Sequence, residues 1–128
     1  MLFRSNDAAL ATSPLLVACL CAQWCGTCRD YAAVFEQAAA SFGSHCRFVQ
    51  IDIEDDAALV DGIDVENFPT LLIARGAQPL FFGTITPHPQ TLSRLVAGAL
   101  AGDLALLADD PAVQALSLRL AEFGPNAP

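Results

Sequence analysis

Lysine is absent from the 128-residue sequence, and the six arginines (Arg4, Arg29, Arg47, Arg75, Arg94, Arg119) stand singly. Nucleic-acid binding draws on clustered Lys and Arg, so a chain with no basic patch is not expected to bind nucleic acid. The same shortage argues against an anionic membrane surface. Fourteen acidic residues leave a formal net charge of -8, which bears on solubility and association rather than on fold. Long hydrophobic runs are missing too. The apolar stretch Leu15 to Ala22 is far shorter than the roughly 20 residues that cross a bilayer. Asn6 and Asp7 interrupt the place where a leader's apolar region would begin, and Pro14 stands directly before the run. Leu16-Val17-Ala18-Cys19, although it looks like a lipoprotein cleavage box, is therefore read as part of a buried strand, and a cytoplasmic location is expected.

Internal repeats and low-complexity segments are also lacking, and at this length one domain, 1–128, is expected to bury a core without staples. Five cysteines is an odd number, unlike the paired framework of a small secreted domain, so most thiols are expected to be reduced.

The segments that are present alternate in type. Leu15 to Ala22 is predicted to be a buried strand. After Cys25, the positions Tyr31, Val34, Phe35, Ala38 and Phe42 recur at helical steps until Gly43. Arg47 to Ile53 alternates as a second strand, and Asp55 to Asp61 is predicted to be a short helix. Thr70 to Ala74 and Leu80 to Gly83, joined by a turn at Arg75 to Pro79, form a hairpin. A helix then follows Thr86-Pro87-His88-Pro89, with Leu92, Leu95, Val96, Ala99 and Leu100 on one face and Gly102 at its end. A last helix begins with Asp110 as N-cap and Pro111 in the first turn, with Val113, Leu116, Leu120 and Phe123 on one stripe. A crossover followed by a tight hairpin implies an α/β fold with a central mixed sheet flanked by helices on both faces.

The chemistry gathers at Trp24-Cys25-Gly26-Thr27-Cys28, where a C-x-x-C pair follows a predicted strand and opens a predicted helix. Residues three apart in a first helical turn are neighbours and can approach disulfide range. The free amides and the dipole at a helix start favour the thiolate of Cys25, which makes it the candidate nucleophile. Cys28, one turn in, is the candidate resolving thiol.

With this motif, the Gln50-Ile51-Asp52-Ile53 strand and Phe68-Pro69-Thr70 before the hairpin, the sequence resembles the thioredoxin superfamily over residues 15–101. The resemblance implies a thioredoxin-like fold with an extra C-terminal helix in the extension 103–128. It also implies a thiol–disulfide oxidoreductase, with roles in redox homeostasis and electron transport. Cys25 and Cys28 would be catalytic, Pro69 would follow a cis bond, and Trp24, Gly26, Thr27, Phe68, Pro69 and Thr70 would meet the substrate. Protein disulfides would be the substrates and a reductase or other thiol–disulfide donor the partner, with no resident cofactor or metal.

Several residues depart from that pattern. Cys19 stands where the family has a buried aspartate, Gln50 where it has a lysine, Thr27 where proline is commonest, and Ala33 where a proline kinks the helix; the family's first edge strand is expected to be missing. Cys19 and Cys21 are expected on opposite faces of the sheet, unable to pair and, like Cys46, structural. Cys21-x3-Cys25-x2-Cys28 matches the spacing of a cluster-binding radical motif, but that motif belongs to a loop rather than a strand. His45 and His88 fall among turn residues, and the acidic run Asp52, Glu54, Asp55 and Asp56 reads as a solvated loop, with a cation site as the alternative. The competing functional classes are a binding module with redox-inactive cysteines and a metal-bridged dimer through Cys25 and Cys28. A monomer is expected, with the C-terminal helix as the alternative dimer contact.

Overall fold

The structure is a computed structural model that describes residues 15–22, 25–43, 46–58, 60, 62–63, 69–76, 78–104 and 110–123. Its elements are β1 (Leu15–Cys21), α1 (Gly26–Phe42), β2 (Cys46–Asp52), β3 (Thr70–Arg75), β4 (Gln78–Thr84), α2 (Pro89–Leu100) and α3 (Pro111–Phe123). The sheet runs β2-β1-β3-β4, with β1 parallel to β2 and the other pairs antiparallel. The expected mixed sheet between helices is therefore present. The predicted missing edge strand and the residues preceding Leu15 lie outside the described residues.

Strands β1 and β3 occupy the middle of the sheet, which explains their unbroken apolar character: both of their faces are covered. Pro79 sits in the edge strand β4, where its missing N–H disrupts no inner ladder. The hairpin pairs Arg75 with Gln78, and Gly76 adopts φ +60°, a backbone that a side chain would oppose.

Alternate residues of the central strands feed two cores. Leu15, Val17, Cys19, Leu71 and Ile73 pack with Tyr31, Phe35 and Ala38 of α1 and with Leu92, Val96 and Ala99 of α2. Leu16, Ala18, Leu20, Leu72 and Ala74 pack with Val113, Leu116 and Leu120 of α3. Each buried Val, Leu, Ile or Phe side chain among them contributes about 1.5–3 kcal/mol. The stripe of α3 is thus spent against the sheet, and Ser117 between its members is satisfied by donating to the Val113 carbonyl at 3.0 Å.

Helix ends follow the sequence signals. The Val113 N–H donates to the Asp110 carboxylate at 3.2 Å, the cap expected there. Beyond α2, Gly102 takes φ +83° and its N–H donates to Ala99, while the Asp103 N–H reaches back to Gly98 at 2.8 Å; the two bonds satisfy the last carbonyls of the helix.

One predicted element is corrected. Residues 53–58 and 60 form turns, not the helix expected over Asp55 to Asp61. The Asp52 carboxylate accepts the N–H groups of Glu54 and Asp55 at 2.8 and 3.0 Å, and the Asp56 carboxylate accepts the N–H of Asp52 at 3.2 Å. Such side-chain bonds offer the backbone an alternative to the helix. The acidic run is therefore a self-bonded turn at the end of β2.

Candidate active site

The site forms where β1 ends and α1 begins. Cys25 is the N-cap residue of α1, with extended backbone at φ -87° and ψ 121°. Its N–H donates to the Ala22 carbonyl at 3.1 Å, and its carbonyl accepts the N–H of Arg29 at 3.2 Å. These bonds fix the passage from strand to helix and leave the Cys25 thiol free and partly exposed. Gly26 and Thr27 are exposed in the first turn, while Cys28 turns inward and is buried.

The sulfur pairing differs from the sequence expectation. Cys28 is disulfide-bonded to Cys21, with the two Cα atoms 5.8 Å apart, and Cys25 is unpaired. The last residue of β1 and the third residue of α1 face each other across the bend, at a separation usual for a disulfide. Cys21 is consequently not a free thiol.

The placement of Cys19 and Cys21 on opposite faces is corrected as well. Residues two apart in a strand share a face. The two sulfurs lie 3.8 Å from each other, and both side chains belong to the core under α1 and α2. That period of two was the signal in the sequence that could have found Cys21, because it sets Cys19, Cys21 and the inward side of α1 together. Cys46 is opposite Leu15, at the other end of β1 from Cys21. Burial pushes its thiol up, and the nearby Arg75 partly offsets this.

A cavity of about 300 Å³ opens beside these sulfurs, lined by Cys19, Cys21, Cys28, Gln50, Asp52 and Asp56 among others. Cys19 and Gln50 are register partners on β1 and β2, so the two departures from the family pattern sit side by side next to Cys28. Burial drives the Cys19 thiol up to about 12, which keeps it neutral at physiological pH and unable to act there as a base. The carboxylates lining the same cavity come instead from Asp52 and Asp56. Tyr31, one turn beyond Cys28, is buried with a hydroxyl that has no hydrogen-bond partner among the described residues, and burial foremost, then Cys19, pushes that hydroxyl up.

The residues expected to face a substrate divide between described and undescribed positions. Pro69 and Thr70 are buried at the start of β3, with Thr70 in register with Leu20 and hence at the Cys21 end of the sheet. The Pro69 carbonyl accepts the Ile85 N–H at 3.1 Å, which ties the entry of β3 to the exit of β4. Trp24, Phe68 and His45 lie outside the described residues, as does the Phe68–Pro69 bond. His88 is exposed at the start of α2 and is not brought to the cysteines as a site partner. Among the described residues, no three His, Cys, Asp or Glu side chains form a group that could hold a metal ion, and no helix is long and apolar enough to cross a membrane.

A mixed sheet with helices on both faces and a cysteine pair at a strand-to-helix bend defines a thiol-bearing α/β domain. The family model for thioredoxin matches residues 4–94, and the chain belongs to the thioredoxin family. It is 33% identical over 72 residues to thioredoxin H2-1 of Oryza sativa subsp. japonica, covering 56% of this chain and 51% of that protein. The chain thus spans about half the length of the curated relatives it matches. Among solved structures it is similar to thioredoxin from Trypanosoma brucei brucei, at 24% identity and a TM-score of 0.61 over 77% of this chain and 88% of that one. It is also similar to the germline-specific thioredoxin Deadhead of Drosophila melanogaster, at 22% identity and a TM-score of 0.61 over 72% and 87%. These likenesses fix the thioredoxin-like fold; α3 lies beyond the matched residues.

Proposed function

We propose that this protein is a thiol–disulfide oxidoreductase that reduces or exchanges protein disulfides, with Cys25 as nucleophile and Cys28 as resolving thiol. The observation that carries this reading is the position of Cys25, a free and partly exposed thiol at the start of α1, one turn from the disulfide-forming Cys28. The first amides of α1 have no helical acceptors, and with the helix dipole they favour negative charge at that end. Cys25 attacks a substrate disulfide and is joined to one half of it as the other half leaves as thiolate. Cys28 then attacks the Cys25 sulfur, closes the Cys25–Cys28 disulfide and releases the second half. The substrate is reduced by two electrons and the cysteine pair oxidised by two.

Cys19 remains neutral beside Cys28, so proton movement to and from the resolving thiol runs through water in the cavity toward Asp52 and Asp56. The substrate chain lies against Trp24, Gly26, Thr27, Phe68, Pro69 and Thr70, with Pro69 in the cis form. A reductase or another dithiol donor returns the pair to the reduced state. The protein works as a monomer in a reducing compartment such as the cytoplasm.

Dithiol-driven insulin reduction tests the reading. Wild type is expected to accelerate it, Cys25→Ser to be at background, and Cys28→Ser to trap the mixed disulfide with insulin. An inactive wild type, or full activity in Cys25→Ser, contradicts the reading and favours a binding module.

A further inference from the structure

We propose that Cys21 is a third redox-active cysteine, which takes Cys28 over from Cys25 and moves the disulfide from the exposed motif to the strand–helix junction. This step rests on the role of Cys25 proposed above. Two sulfurs compete for one: Cys21 is bonded to Cys28, and Cys25 occupies the helix position three residues before Cys28, a spacing that brings side chains to about 5–6 Å between Cβ atoms. The cavity lined by Cys21, Cys28, Gln50, Asp52 and Asp56 supplies room for water at the same sulfurs. Cys19, although 3.8 Å from Cys21, is held neutral by burial and stays outside the exchange.

Once Cys25–Cys28 has formed, the Cys21 thiol gives its proton to water, and the resulting thiolate attacks the Cys28 sulfur. The Cys21–Cys28 bond forms, the Cys25–Cys28 bond breaks, and Cys25 leaves as thiolate. No electron is gained or lost by the protein in this step. The reverse attack by Cys25 on Cys28 restores the exposed disulfide for reduction by the external dithiol. The oxidised protein thus presents a free Cys25, which a simple C-x-x-C disulfide would conceal.

Differential alkylation of the full chain tests this directly. The diamide-oxidised protein is quenched in acid and denatured, and free thiols are blocked with N-ethylmaleimide. Disulfides are then reduced and labelled with iodoacetamide, and the labels are located by fragmentation of the tryptic peptide that follows Arg4 and ends at Arg29, which carries Cys19, Cys21, Cys25 and Cys28. The expected result is maleimide on Cys25 and the second label on Cys21 and Cys28 in most molecules. Second label on Cys25 and Cys28, with Cys21 carrying maleimide throughout, overturns the proposal.

In Cys21→Ser the maleimide on Cys25 is expected to fall about tenfold, because Cys28 then has Cys25 as its partner; an unchanged level overturns the proposal. Cys25→Ser is expected to form the Cys21–Cys28 disulfide with diamide, and its failure to do so also overturns it. Insulin reduction by wild type is read separately: its absence contradicts the oxidoreductase reading, whereas the labels report on Cys21 itself.

Discussion

Along β1, Leu15, Val17, Cys19 and Cys21 face α1 and α2, whereas Leu16, Ala18 and Leu20 face α3. The first side gathers sulfur at its end nearest the bend into α1, with a cavity and acidic side chains beside it. The second side is closed by aliphatic side chains of α3. A shift of one residue along β1 therefore decides whether a side chain joins the sulfur-bearing core or the core under α3. Both faces carry an apolar core, and Cys19 and Cys21 lie on the one under α1 and α2.

Variants that break the α3 face are expected to act on stability first. Leu116 is fully buried there, and Leu116→Ala is expected to cost about 2–5 kcal/mol in urea unfolding. The effect on the sulfur face depends on pH. The Cys19 thiol titrates at 9.0 as a reference and at about 12 in the folded chain, so the fold binds more protons than the unfolded chain between those values. Its contribution is complete below pH 9.0 and is lost as pH rises toward about 12. Wild type is expected to lose stability across that window faster than Cys19→Ala, by up to about 1.4 kcal/mol per pH unit, in unfolding curves of the oxidised forms. The smallest effect belongs to the α3 cap: Asp110→Ala removes the carboxylate that accepts the Val113 N–H and is expected to cost about 1 kcal/mol, read as a lower Tm.

The elements that build the two faces were largely legible in the sequence. Apolar periodicity placed α1, α2 and α3, and the continuous runs at Leu15 and Thr70 marked the central strands. Asp110, Pro111 and Gly102 marked helix ends that the structure reproduces. Where the reading failed, local hydrogen bonding or strand parity was responsible. Asp52 and Asp56 capture backbone N–H groups and hold residues 53–58 in turns, a competition that apolar periodicity does not register. The motif residues Cys25 and Cys28 were apparent, but the partner of Cys28 was not, because Cys21 meets it only once the bend between β1 and α1 has formed. The same-face relation of Cys19 and Cys21 was available from the period of a strand and alone would have brought Cys21 into the site.

The division between the faces is tested most directly by insulin reduction per folded molecule, with Cys25→Ser and Leu116→Ala measured side by side. Background activity is expected from the first and the wild-type rate from the second once the rate is corrected for its folded fraction. Activity retained in Cys25→Ser, or lost as completely in folded Leu116→Ala, would contradict that division.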